Sequence, residues 1–344
     1  MRSRYCRLFT ICLLAASATS SPAQDVRPAL HVESRERELV IEYGPVELPA
    51  NAGHADTHEP PALVFALPVE GWMRGYAADL IDADGRRVPS ALLHHMNLIA
   101  KNRRDLFSNV MLRVGSAGPE TEAITMPRLL GVRLQRGDTL LMTLMLHNPT
   151  ATPYAGVRLR VRIPFTPAGS RVGAVAVYPF SIAIGPIGRP NVFDLPPGRS
   201  EHYWEGSPST RVRILGVSGH LHRYGVALRL EDRTSGEVMW EVRPRSDSTG
   251  EVQGMPVKLF VWSGGKAMRP DHVYRLTAVY ENPEPRTIPD GGMGVLGGIV
   301  VLSRRSRWPA VDPRHPEYVA DVRSTLGSRG HGELGTRVRP HAHP

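Results

Sequence analysis

The stretch VRLRVRI, residues 157–163, decides the fold class. Val157, Leu159, Val161 and Ile163 alternate with Arg158, Arg160 and Arg162. Successive side chains of a strand point to opposite faces, so this period of two predicts a strand with one buried and one wet face. Such strands belong to antiparallel sheets that pack one side on a core. Upstream, TLLMTLMLH (139–147) reads as a buried strand. LVFALPV (63–69) and GWMRGYAADLIDADG (71–85) read as strands, the latter closing in an Asp-Gly turn.

The same pattern continues downstream. VGAVAVYPF, RVRILGVSG, GVALRLED, GEVMWEVRP, KLFVWSG, VYRLTAVYEN and LGGIVVLS read as strands, with FDLPPGRS (193–200) as a turn among them. The 33 glycines and 31 prolines in 344 residues interrupt long helices, and no amphipathic helix is legible. The expected fold class is all-β, with two tandem antiparallel β-sandwich domains over residues 39–168 and 169–303. Residues 24–38 read as a polar leader. Residues 304–344, rich in Arg, Pro, Gly and His, read as a poorly ordered tail.

The N-terminus reads as an export signal over residues 1–23. Arg2, Arg4 and Arg7 precede the apolar run Leu8 to Ala18, and Ser21-Pro22-Ala23 offers a cleavage site. The run is too short to span a bilayer, so no stable membrane insertion is expected after cleavage. A periplasmic or extracellular location follows. Both cysteines, Cys6 and Cys12, fall inside this segment. The mature chain then has neither disulfide nor thiolate, and a metal would be held by His, carboxylate or Met. Its charge of about +6 is almost all arginine, without a basic block interleaved with aromatics, so nucleic acid is not an expected partner.

The 14 histidines are therefore the place to look for chemistry. His220 and His222, in GHLHRYG, stand at i and i+2 and share a strand face. They can chelate one ion, or be two partly buried structural residues. His94 and His95 are adjacent, so a regular strand sends them to opposite faces. Both reach one ion only at a bulge or strand end. His147 ends the TLLMTLMLH strand, where it can be a ligand or simply a capped residue. Met293 lies among Gly291, Gly292 and Gly294, which suggests close backbone approach. A methionine is usually core filler, but its thioether also suits Cu(I). His331, His341 and His343 read as incidental to the tail. His54 and His58 lack helical context.

The order HH, H, HxH, M resembles the copper type II, ascorbate-dependent monooxygenases, the class of peptidylglycine α-hydroxylating monooxygenase and dopamine β-monooxygenase. The resemblance implies two jelly-roll-like sandwiches carrying one copper each. His94, His95 and His147 would hold an electron-transfer copper. His220, His222 and Met293 would hold the copper at which O₂ reacts, and so be the catalytic set. It further implies hydroxylation of a C–H bond of a small-molecule substrate with O₂ and an external one-electron reductant such as ascorbate. Two departures stand out. Ser218 occupies the position where peptide-hydroxylating members place a carboxylate-binding arginine. Val295, Leu296 and Gly297 follow the methionine where a substrate-contacting tyrosine is expected. The alternatives are a copper-binding or copper-buffering envelope protein without turnover, and a two-sandwich scaffold with degenerate sites.

Overall fold

The computed structural model describes residues 27–52, 57–170, 174–185, 187 and 191–327, together with the short strand Arg337–Val338. Residues 1–23, read as the export signal, lie outside these, as do His54, His331, His341 and His343.

In the strand Tyr154–Pro167, Val157, Leu159, Val161 and Ile163 are buried while the intervening arginines face outward. Burying one such aliphatic side chain is worth roughly 1.5–3 kcal/mol, which settles which face turns inward. The arginines make ion pairs across the wet face. Arg160 pairs with Glu42 on the neighbouring strand Glu38–Leu48, and Arg162 with Asp79 at 2.8 Å.

The chain is all-β in architecture, with two jelly-roll-like sandwiches in tandem. In the first, Tyr154–Pro167 and its neighbours Glu38–Leu48 and Gly75–Ile81 face a four-stranded sheet. That sheet runs in the order Leu63–Ala66, Thr139–Leu146, Leu93–Arg104, Met111–Ala117. Leu39, Ile41, Met96, Leu98, Met142 and Leu144 fill the space between with the buried face of 157–163. In the second, Val175–Ala183, Ile288–Leu302 and Val212–Leu221 face the sheet formed by Gly198–Gly206, Tyr274–Asn282, Gly225–Asp232 and Glu237–Val242. Phe180, Ile214, Leu230, Leu276, Tyr280 and Leu296 form that core. Val175–Ala183 also pairs in parallel with Leu130–Leu134, so one sheet runs from the first sandwich into the second.

Three expectations are corrected. The polar leader contains the strand Ala29–Ser34, paired with Leu39 to Gly44, with Leu30 and Val32 buried. Only Leu30 and Val32 are buried in that strand, so its alternation is too short to stand out from sequence. The tail is ordered at least to Gly327 and includes the helix Pro316–Gly327. Its anchors are mostly polar and aromatic. Asp321 takes a two-pronged pair from Arg113 (2.8 and 2.5 Å) and the Met111 amide (2.9 Å), while Tyr318 packs with Ile99, Met111 and Leu141. Trp308 stacks on Tyr178 and donates to the Arg104 carbonyl at 2.8 Å. Such anchors leave no apolar period to read. KLFVWSG is also not one strand. It breaks after Leu259 into a 3-10 turn, Val261–Ser263, with Trp262 92% exposed. Among the described residues no helix is long and apolar enough to cross a membrane.

Candidate metal centre

His95 lies on the outer face of the four-stranded sheet. Met96, Leu98 and Ala100 alternate into the core, so His95, Asn97 and Ile99 point the other way. Asn97 is tied across this face, donating to Thr143 Oγ1 at 3.2 Å and accepting from Ser116 at 2.8 Å. On the adjacent strand Leu140, Met142, Leu144 and Leu146 face the core, which leaves His147 on the outer side. Its amide donates to the Leu92 carbonyl at 3.1 Å, so pairing continues past the strand end and holds the backbone there.

His94 is the extra residue of a β-bulge. Met145 pairs with His95 and Leu146 with Leu93, so the register steps over His94. This is the distortion two consecutive histidines need in order to share a side. The His94 and His95 ring centres are 5.0 Å apart, and those of His94 and His147 are 5.3 Å apart, edge-on.

In the second sandwich His220 sits near the end of Val212–Leu221, and His222 in the turn that follows. The turn is closed by the Gly225 amide donating to the His222 carbonyl at 3.1 Å, and Tyr224 holds a positive φ of 67°. The rings of His220 and His222 are 5.2 Å apart and nearly perpendicular. The ring of His222 is also 6.2 Å from that of His94. The two histidine groups, one from each sandwich, therefore lie side by side. All five are partly exposed.

Met293 lies on Ile288–Leu302, which pairs with the HxH strand. His220 is opposite Val295 and Leu221 opposite Gly294. Alternation puts Met293 on the face of Val295, hence of His220. The flanking glycines serve the other face. A Cβ on Gly292 would meet the Phe193 ring at 2.2 Å, and one on Gly294 would meet Ile184 at 2.7 Å and Ala278 at 2.8 Å. Close approach is thus the reason for these glycines, and it comes from core packing.

Two residues that the sequence does not flag organise the site. Glu120, in the loop after Met111–Ala117, accepts from His220 Nδ1 at 2.6 Å. Burial pushes the Glu120 carboxyl up. The hydrogen bond and charge of His220, helped by His222, outweigh this and hold it below its usual value. Tyr280 is fully buried, and its hydroxyl accepts from the amides of both His222 and Met293 at 3.0 Å and donates to the Met293 carbonyl. One phenol therefore locks the HxH turn to the methionine strand. Burial raises its pKa, so it remains a neutral donor. Neither signal is local. Glu120 is 100 residues from His220, and Tyr280 reads as ordinary core.

The donor set suits copper in kind, with five imidazoles and one thioether. It also fits in spacing. Two imidazoles on one tetrahedral ion, at roughly 2.0–2.1 Å metal–nitrogen distance, place their ring centres roughly 5 Å apart. The pairs His94–His95, His94–His147 and His220–His222 all have that separation. Among the described residues no trio of His, Cys, Asp or Glu stands ready-made around one point. The fold supplies pairwise spacing, and side-chain rotation would have to close a trio.

An open depression of about 540 Å³ is lined by Arg223 and Tyr224, which follow His222 in the chain, and by Asp247, Thr249, Gly250 and Glu281; none of the candidate ligands lines it. The Arg223 guanidinium lies 4.5 Å over the Tyr224 ring and donates to the Thr249 carbonyl at 2.9 Å. Ser218 turns instead to the Met255 carbonyl, at 3.2 Å.

No protein-family model matches the chain, and no curated protein does. Among solved structures the chain is similar to one in the cryo-EM structure of the Sputnik virophage. That match has 8% identity and a TM-score of 0.25, over 95% of this chain and 97% of the other. It is also similar to the mavirus major capsid protein, with 9% identity and a TM-score of 0.23, over 87% and 93%. Superpositions this loose carry no argument about function.

Proposed function

We propose that this chain is an exported, copper-dependent oxidoreductase of the monooxygenase type. It would hydroxylate a C–H bond of a small molecule with O₂ and an external one-electron reductant such as ascorbate. The observation that carries the reading is the meeting of His94, His95 and His147 with His220 and His222. They come from two sandwiches and three separate stretches of the sequence; three ring pairs within the groups lie at ligand spacing, and His94 and His222 bring the two groups to 6.2 Å of each other. Copper bound there supplies one-electron transfer and oxygen activation.

The chain's own residues do the rest. The bulge at His94 and the Leu92 tether of His147 present the first group. Tyr280 holds the backbone of His222 and Met293 together, so the second group keeps its shape without the ion. Glu120 holds the proton on His220 Nδ1, which leaves Nε2 as the nitrogen for the metal. The depression lined by Arg223 and Tyr224, the residues that follow His222 in the chain, is the candidate place for substrate. The test is metal stoichiometry on the mature chain. About two coppers in the wild type and about one in His220→Ala are expected, together with oxygen uptake that depends on copper and reductant. Binding of no copper would overturn the reading.

A second reading, a copper-binding envelope protein without turnover, is supported by Ser218. Its hydroxyl is engaged with the Met255 carbonyl and offers a substrate carboxylate no positive charge. Two tightly held coppers and no oxygen consumption with any substrate would select it.

A further inference from the structure

Glu120 and His220 belong to different sandwiches. Glu120 sits in a short loop of the first, between the strands Met111–Ala117 and Ile124–Thr125. Thr121 shapes that loop, its amide donating to the Gly118 carbonyl at 3.1 Å and its hydroxyl accepting from the Gly118 amide at 2.9 Å. A Cβ on Gly118 would lie 2.7 Å from Glu120 Oε2, so the glycine leaves the carboxylate room to fold over the turn. The Glu120 side chain is only 8% exposed, and that of His220 is 26% exposed. A carboxylate that buried is costly without a donor, and the His220 ring supplies one. A second contact from the same loop, Glu122 to Arg245 at 3.1 Å, also crosses to the second sandwich, but it is solvent-exposed and worth little.

We propose that Glu120 is the positioning residue for His220. It fixes the proton on Nδ1, leaves Nε2 as the metal-facing nitrogen, and makes the His220–His222 pair competent for metal only when the two sandwiches are docked. A carboxylate can only accept, so the 2.6 Å bond admits no other tautomer of a neutral ring. Nδ1 and Nε2 lie on opposite sides of the ring, so orientation follows from the same bond. The second sandwich therefore does not complete its own metal site. This inference rests on the metal-binding reading above for its affinity arm, and on geometry alone for its tautomer arm.

The test uses the full mature chain. Long-range proton–nitrogen NMR of the metal-free protein reports the His220 tautomer. A Cu(I) titration against a chromophoric chelator reports affinity. In wild type His220 is expected as the Nδ1–H form. Glu120→Ala is expected to lose that form and to weaken Cu(I) binding at the second group by roughly 10–100-fold. Glu120→Gln, whose amide oxygen still accepts, is expected to keep the tautomer and lose less. Glu122→Ala is expected to change neither. If Glu120→Ala does not fold, Glu120→Asp draws the acceptor back by one methylene and is expected to move both readouts the same way. An unchanged tautomer in the Ala or Asp variant, or unchanged Cu(I) affinity with an altered tautomer, overturns the proposal. A wild type that binds no Cu(I) overturns the functional reading instead, while the tautomer comparison still decides the role of Glu120.

Discussion

The ring of His94 lies 6.2 Å from that of His222, although 128 positions separate them and they belong to different sandwiches. His94 also stands 5.0 Å from His95 and 5.3 Å from His147. It is the ring through which the two groups touch. His94→Ala should therefore weaken copper at the first group by roughly tenfold or more, ~1.4 kcal/mol, and measurably at the second. Competition titration checks this, and an effect confined to the first group would show that the two do not communicate.

Tyr280→Phe removes one hydroxyl that serves two amides and one carbonyl. Leaving those buried groups unpaired should cost about 1–3 kcal/mol. Hydrogen exchange should accelerate at the amides of His222 and Met293 first. Denaturant unfolding and residue-resolved exchange measure both. A uniform acceleration across the second sandwich would argue against a local tie.

Asp321→Ala should free the helix Pro316–Gly327. It leaves Arg113 and the Met111 amide without their carboxylate, at a cost of about 1–3 kcal/mol. Limited proteolysis should then cut between Trp308 and the helix. Resistance equal to wild type would mean that Tyr318 and Trp308 hold the segment unaided.

Asp232 provides the pH dependence away from the site. Burial raises its pKa, but the bond from His272 Nδ1 at 2.6 Å and those from Ser235 and Thr234 outweigh this and hold it below 3.8. A depressed carboxyl contributes stability that is complete above its unfolded value and is lost as pH falls through the lower folded value. Wild type should lose stability on acidification below about pH 4, and Asp232→Asn should show a shallower loss. Chemical denaturation between pH 2 and 6 tests it, and parallel curves would remove Asp232 as a contributor.

Local pattern was enough for the longer strands. The period of two in VRLRVRI determined a one-sided strand because the arginines and aliphatics cannot exchange faces without burying charge. Long strands such as Thr139–Leu146 and Tyr274–Asn282 carry enough apolar residues to be read alone. Ala29–Ser34 and the helix Pro316–Gly327 were not legible, since their hold comes from two buried aliphatics in one case and from Arg113 and Trp308 contacts in the other. Those are partners that no window of the chain contains.

For the candidate site, the sequence by itself determined which donor residues come into question and their order. With both cysteines inside the expected export signal, His, carboxylate and Met were the donors left to consider. The i, i+2 spacing singled out His220 and His222, of which the structure keeps His220 on the strand and sets His222 in the turn after it. Tertiary structure decided what an alternation pattern cannot express. It made His94 the bulged residue, brought His94 against His222, and set Glu120 on His220 and Tyr280 between His222 and Met293. Side-chain period specifies only which face a residue occupies. Which faces meet depends on how the two sandwiches dock, and that is fixed by packing and long-range hydrogen bonds.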